Sequence, residues 1–235
     1  GDTSRRASAC DCATVLNLQQ AKDIAEAGYT HVGRYLTGYV GINHIPKYLT
    51  PEEIRNIEAA GLRVFPIYQD GGYYLEYFQN PARGILDAKM AILTAEILGF
   101  PEGTTIYFAV DFDCYEFQIN RYIIPYFEEI QNFFSSAKNI MGYNVGIYAA
   151  RQVCTKVSEK GYAKFSFVAD MSWKYSCNLG FPIPPNWAFD QFFEEQFPSS
   201  PSFPIDKVAY SKRDEGTRTF DKKEQTPEQH AEYCR

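Results

Sequence analysis

The sequence predicts an α/β fold closed into a single (β/α)8, TIM-type barrel, and three observations predict it. Apolar runs of strand length alternate with helix-period segments along most of the chain, an order that implies parallel pairing. Eight such runs can be counted, the number that closes a barrel. Several of them carry an acid or an amide at or near an end, and in a barrel the strand C-termini open onto one face.

The elements follow in order. Residues 8–13 form a short first strand carrying Asp11. A helix over residues 18–27 stops at Gly28, a residue suited to a helix C-terminus. Residues 30–36 (THVGRYL) read as the second strand. Thr50-Pro51-Glu52-Glu53 combine an N-cap, a proline at the first helical position and a capping-box acid, opening a helix that ends at Gly61. Residues 63–69 (RVFPIYQ) form the third strand, and residues 87–98 a helix stopped by Gly99. Residues 105–111 are the fourth strand, followed by a long aromatic helix over 119–135 with a bend expected at Pro125. Residues 144–149 and 164–170 are the fifth and sixth strands, with a helix over 151–160 between them. A Pro-rich loop then leads to strands at 187–193 and 205–210. Few helical signals occur in this last third, so the helical ring is expected to be thin there. The rival architecture is an open doubly wound sheet, but the G-x-G-x-x-G fingerprint that often accompanies one is missing. One domain is expected over residues 9–214, with 1–8 a leader or cloning remnant and 215–235 a peripheral charged tail.

Composition narrows the function. A chain of 235 residues, 45% of them hydrophobic, can bury one large core. A net charge of −6 without a Lys/Arg cluster argues against nucleic acid and anionic membranes as partners. No run of 18 apolar residues exists, so no membrane insertion is expected. The six cysteines lack zinc-ligand spacing; their even number is compatible with disulfides in a secreted, monomeric protein, with Cys10 and Cys12 paired to distant partners such as Cys114 or Cys154. Aspartates could hold Ca²⁺ or Mg²⁺, but the first-row catalytic metals usually add histidines, and His31, His44 and His230 are scattered. No metal or cofactor is therefore expected.

The fourth strand carries the sharpest signal. It runs through Tyr107 and Ala109 into Asp111 and Asp113, and alternation puts both acids on one side. Two converging carboxylates are costly unless solvent, a metal or a substrate uses them. The plainer reading is a solvated strand end that caps the next helix. More acids and amides fall on the strands: Asp11, Gln69 with Asp70, Asp170, Asp190 or Gln191 (adjacent, so only one faces inward) and Asp206. Repulsion between neighbouring carboxyls raises a pKa, which makes Asp113 beside Asp111 a candidate proton donor. The partner would serve as nucleophile, base or stabiliser, or would orient a substrate N-acetyl group that attacks in its place. Tyr35, Tyr68, Tyr148 and Trp173 are candidate sugar platforms, since each ring joins an apolar face to a polar tip.

With those residues in view, the chain resembles glycoside hydrolase family 25, the (β/α)8 lysozymes, and more closely their sister group of glycoside-hydrolase-like domains in bacteriocin-type and cell-wall lysins. The carriers are Asp11, GYTHVGRYL, AGLRVFPIYQ, Asp87-Ala88, IYFAVDFD, VGIYAAR, VADMS, NWAFDQF and Ile205-Asp206, spread over residues 9–214. The resemblance implies an extracellular or cell-wall-associated enzyme cleaving β-1,4 bonds in peptidoglycan or another N-acetylated polysaccharide. It puts Asp113 in the general acid's position and matches Asp11 and Asp206 to the first- and last-strand acids. The lysozymes have Asp-x-Glu where this chain has Asp-x-Asp, so Asp113 is one methylene shorter. The expected catalytic set is Asp113, Asp111, Asp11 and Asp206, with Asp170, Gln191, Gln69, Tyr35, Tyr68, Tyr148 and Trp173 binding substrate. Two alternatives stand beside it. One is a catalytically silent carbohydrate-binding domain. The other is a glycosidase on a non-peptidoglycan aminosugar polymer, since an acidic protein is poorly steered to anionic walls.

Overall fold

Eight strands close into a barrel in the computed structural model, which describes residues 4–171 and 175–221. In chain order the strands are β1 (Ala9–Asp11), β2 (His31–Tyr35), a two-stranded hairpin of β3 (Tyr39–Val40) and β4 (Ile45–Pro46), β5 (Arg63–Tyr68), β6 (Thr105–Val110), β7 (Asn144–Ala149), β8 (Phe165–Ala169), β9 (Trp187–Phe197) and β10 (Phe203–Tyr210). Around the ring the order is β1, β10, β9, β8, β7, β6, β5, β2. The hairpin of β3 and β4 stands outside it. The helices are α1 (Leu18–Glu26), α2 (Pro51–Ala60), α3 (Arg83–Leu98), α4 (Glu116–Gln118), α5 (Ile124–Phe134) and α6 (Arg151–Glu159). Among the described residues no helix follows Glu159.

One expectation is corrected. The barrel is mixed rather than all parallel, because β10 runs antiparallel to both β9 and β1. Residues 198–202 between β9 and β10 make a tight return, far too short for the crossover a parallel neighbour needs. The last strand therefore starts at the end of the barrel where the others finish, and Asp206 lies directly opposite Asp11 in the β1–β10 register. Below, "upper" means that end.

Local chemistry explains the helix boundaries. The Thr50 hydroxyl accepts from the Glu53 amide at 3.1 Å, and Gly61 closes α2 at φ +76°, as the sequence suggests. Glu53, read from sequence as a capping-box acid, instead turns inward. The long helix is interrupted by a π-turn over Ile119–Ile123, just before Pro125. Pro125 has no N–H to give the preceding turn, so the ladder slips one residue there.

The barrel interior is filled by aromatic rings. Phe65 stacks on Phe189 at 3.9 Å between centroids, and Phe167 and Tyr107 meet Phe65 edge-on at 5.3 and 6.2 Å. Gly33 and Gly146 make room for them: a Cβ at Gly33 would lie 2.5 Å from the Phe65 ring, and one at Gly146 would lie 2.6 Å from Tyr107. Below this layer the Tyr107 hydroxyl donates to Asp214 Oδ2 at 2.6 Å. The segment after Asp214 stays on the barrel. Thr217 pairs with Val64 as an antiparallel bridge, and Phe220 packs edge-on against Phe100. At the other terminus Arg5 forms an ion pair with buried Asp190, which faces out of the barrel.

The cysteines depart from expectation. Among the described residues Cys10, Cys12, Cys114, Cys154 and Cys177 are buried free thiols with no disulfide between them. Cys10 and Cys12 flank the end of β1, whereas Cys154 lies on α6 beside β7, four strands away around the ring. Cys234 lies outside the described residues.

A buried ion pair ties the upper end together. The Arg34 guanidinium, on the outer side of β2, donates to Glu53 at 2.6 and 3.1 Å, to the Cys12 carbonyl at 2.6 Å and to the Lys47 carbonyl at 2.9 Å. Glu53 also accepts from the Leu16 amide at 3.0 Å. Removing one partner strands the other charge in the core. Arg34→Met is expected to lower unfolding free energy by about 3–5 kcal/mol, measured by chemical denaturation; a loss below about 1 kcal/mol would contradict this role.

Candidate active site

The upper rim of the barrel gathers two groups of polar side chains, each organised by one glutamine. In the first, Gln191 on β9 donates its Nε2 to Asp11 Oδ2 at 2.9 Å and to Asp206 Oδ2 at 3.2 Å. The Tyr148 hydroxyl on β7 donates to Gln191 Oε1 at 3.1 Å. That donor claims the amide oxygen and turns the NH2 toward the carboxyls. In the second group, Lys47 donates to Gln69 Oε1 at 3.1 Å, and Gln69 donates Nε2 to Asp111 Oδ2 at 3.3 Å. Tyr175 donates to the other oxygen of Asp111 at 3.0 Å. The Lys47 ammonium sits 4.1 Å from the centre of the Tyr35 ring.

Burial and mutual repulsion set the charge states. Burial, then the neighbouring Asp206, pushes the Asp11 carboxyl well above the usual carboxylate range. Burial pushes Asp206 up to about 7, with Glu194 and Asp111 adding to the effect. The two carboxyls share the Gln191 amide as donor, and with both raised the pair is built to hold a proton near neutral pH. Burial and the same acids raise the Tyr35 and Tyr148 hydroxyls, which keeps both protonated.

Other expected residues are dispersed. Asp113 accepts from the Ser176 amide and hydroxyl, each at 2.8 Å, so consecutive residues 175 and 176 hold Asp111 and Asp113 respectively. The carboxyls that share one donor are Asp11 and Asp206, not Asp111 and Asp113. Asp170 is taken by Arg151 in a two-pronged ion pair at 2.8 and 2.5 Å. Gln191 faces the barrel interior while Asp190 faces out, as strand alternation requires.

The aromatic candidates need correction. Tyr35, Tyr68 and Tyr148 are only 8%, 2% and 5% exposed, too buried to offer a ring face to a sugar. Tyr68 points outward under α3, with its hydroxyl 3.3 Å from Asp87. Trp173 lies outside the described residues. Exposed rings at this end among the described residues include Tyr73 and Tyr74, after β5, and Tyr115 and Phe117, after β6, with Tyr73 and Phe117 each 64% exposed, besides Tyr39 on the hairpin after β2. The first loop is fastened to the site by the Asp111 amide, which donates to the Gly72 carbonyl at 2.7 Å. The GGYY and YEF segments carried this signal in the sequence. Lys47 and Tyr175 were also missed, because single polar residues in loops have no periodicity to betray them. Among the described residues no cluster of three or more His, Cys, Asp or Glu side chains could hold a metal ion.

The Asp206 shift makes stability depend on pH. Its folded pKa of about 7 exceeds the unfolded value of about 3.9, so the fold binds this proton more tightly than the unfolded chain does. Its contribution is complete below about pH 4 and is lost as pH rises through about 7. Asp206→Asn stays neutral throughout. Its melting temperature relative to wild type is expected to improve by a few degrees between pH 4 and pH 8; a pH-independent difference would contradict the assignment.

Comparison with known proteins follows the geometry. The model of a family described as the Rv2525c-like, glycoside hydrolase-like domain matches residues 22–232. Among curated proteins of Bacillus subtilis strain 168, the uncharacterized protein YbfG is 50% identical over 222 residues, covering 92% of this chain and 30% of its own length. The uncharacterized protein FadG is 47% identical over 194 residues, covering 81% and 33%. The chain thus spans about a third of the length of these relatives. Among solved structures, the Tat-secreted protein Rv2525c of Mycobacterium tuberculosis, bound to L-tartrate, superposes with a TM-score of 0.71 at 18% identity, over 88% of this chain and 96% of that one. The catalytic domain of endolysin ply40, from bacteriophage P40 of Listeria monocytogenes, gives 0.52 at 15% identity, over 87% and 92%. At these identities the structural likeness is one of fold.

Proposed function

The chain belongs to the Rv2525c-like, glycoside hydrolase-like domain family, and from that premise we propose that it is a glycoside hydrolase cleaving β-1,4 bonds in peptidoglycan or another N-acetylated cell-wall polysaccharide. The observation that carries this reading is the Asp11–Asp206 pair, a buried carboxyl couple at a rim that also holds Asp111. Glycoside hydrolysis requires one carboxyl that is protonated near neutral pH and another that is ionised. Asp206, the more accessible of the pair, gives its proton to the leaving oxygen, and burial, with Glu194 and Asp111, keeps that proton on it near neutral pH. Asp111, facing donors from Gln69 and Tyr175, acts as nucleophile, as base, or as the group that orients a substrate N-acetyl. Tyr73, Tyr74, Tyr115 and Phe117 supply ring faces to sugars on either side. The catalytic-domain character of the ply40 neighbour and the likeness to family 25 lysozymes support this reading. The Tat-secreted neighbour supports a site of action outside the cell.

A second reading has its own observation. Asp113, which the family 25 resemblance makes the acid, is moored by Ser176, and this favours a carbohydrate-binding domain without turnover. The net charge of −6 favours an aminosugar polymer over an anionic wall in either case. The test is reducing-end release from purified peptidoglycan and a panel of N-acetylated polysaccharides. Asp206→Asn and Asp111→Asn are each expected to lower kcat by about 10²–10⁴-fold, with Asp113→Asn affected less. If Asp113→Asn alone abolishes release, the acid is Asp113. If wild type releases nothing from any substrate, yet sugar binding is detected by calorimetry, the domain is a binding module.

A further inference from the structure

Lys47 is a buried lysine in the loop between the β3–β4 hairpin and α2, and the carboxyl chemistry proposed above does not use it. Its surroundings are specific. The ammonium stands over the Tyr35 ring and donates to Gln69 Oε1. Gly38 lies hard against the lysine stem. A Cβ at that residue would fall 2.8 Å from Lys47 Cε and 2.7 Å from the Gln69 carbonyl oxygen. Gly38 also holds φ +97°, a conformation other residues seldom adopt. The backbone is thus shaped to bring lysine and glutamine together, and the Lys47 amide donates to the Gly38 carbonyl at 3.1 Å. From behind, Arg34 grips the Lys47 carbonyl.

The pairing has a chemical consequence. A glutamine amide has one accepting end and one donating end, and an ammonium can only donate. Lys47 therefore takes Oε1 and leaves Nε2 to face Asp111. We propose that Lys47 is a positioning residue: it fixes the Gln69 amide so that the NH2 always points at Asp111, holding that side chain aimed. The assignment rests on the hydrolase reading for its effect on turnover, but not for its effect on the Gln69–Asp111 pair. Tyr148 does the same for Gln191 from the opposite side, with a hydroxyl in place of the ammonium.

The charges facing Lys47 give the proposal a pH signature. Burial lowers its pKa to about 8; Asp111 and Asp70 pull it back up, and Arg34 pushes it down. Tyr35 is the ring beneath it, and burial keeps that hydroxyl protonated. Above about pH 8 the amine becomes neutral and gains a lone pair, so it no longer dictates which end of Gln69 it meets.

Two measurements test this. The first is the lysine Cε NMR titration of wild type and Asp111→Asn. Lys47 is expected to titrate near 8 in wild type and about one unit lower in the variant, since an attracting carboxylate has gone. The second is kcat against pH for wild type, Lys47→Met and Lys47→Arg. Lys47→Met is expected to lose about 10–100-fold in kcat, with KM changed by no more than about twofold. Lys47→Arg keeps its charge: the fall near pH 7 set by the proton donor Asp206 is expected to persist, and the further fall near pH 8 to vanish. Thermal melts of both variants control for folding. An unmoved Lys47 titration in Asp111→Asn overturns the proposal whatever the turnover, as does a second alkaline step near pH 8, beyond the one Asp206 sets, that persists in Lys47→Arg. Absence of turnover in wild type, with the Lys47 shift intact, sinks the hydrolase reading and leaves the positioning role standing.

Discussion

The backward course of β10 is the constraint on which the upper rim depends. A parallel eighth strand would carry Asp206, near its start, to the lower end of the barrel. Reversed, the same residue stands opposite Asp11. Two carboxyls at that spacing cannot both ionise cheaply in a buried setting, so a proton is retained between them. Charge state is thus a product of topology. The nearby donors, Gln191 above all, make the crowding tolerable without neutralising it, and neither acid has a cation bonded to its carboxyl among the described contacts.

Around that pair the fold separates support from chemistry by layer. Arg34 and Glu53 lie outside the barrel wall and bind main-chain groups of Cys12, Leu16 and Lys47, fastening the segment after β1 and the Lys47 loop to α2. Asp87 plays a similar part beneath α3, accepting from Tyr77 and Tyr126 at 2.7 Å each. These acids sit close to the rim in sequence, yet they are spent on holding helices and loops. The acids that meet at the rim are those that alternation turns inward. Gln191 and Asp190 show the rule in adjacent residues: one bridges the central carboxyls, and the other is matched by Arg5 on the far side of the wall.

This division also explains what could be read from the sequence. Strand-helix alternation, the Thr50–Pro51 start of α2 and the glycine stops were legible because each is a local rule with a local cause. Asp11, Gln69, Asp111, Gln191 and Asp206 were legible because they cluster at the ends and rims of apolar runs. The direction of β10 was not, since an apolar run reads the same whichever way it lies, and with the last two strands expected over 187–193 and 205–210 the short return over residues 198–202 did not show. The division of labour between the acids also escaped. Asp113 and Asp111 are near in sequence, but Asp113 turns to Ser176, sixty-three residues away. The platform tyrosines were misjudged because an aromatic residue carries no mark of whether it fills a core or a rim. Tyr35, Tyr68 and Tyr148 lie on strands, and strand residues in a closed barrel are buried on one side or the other.

The aromatic filling of the barrel has a consequence for traffic. Phe65, Phe167, Phe189 and Tyr107 interlock so tightly that Gly33 and Gly146 cannot carry even a methyl group. The middle of the barrel is therefore closed at this layer, and no path runs along its axis from the upper rim to the lower end. Water and protons that reach the rim carboxyls come and go by the upper side alone.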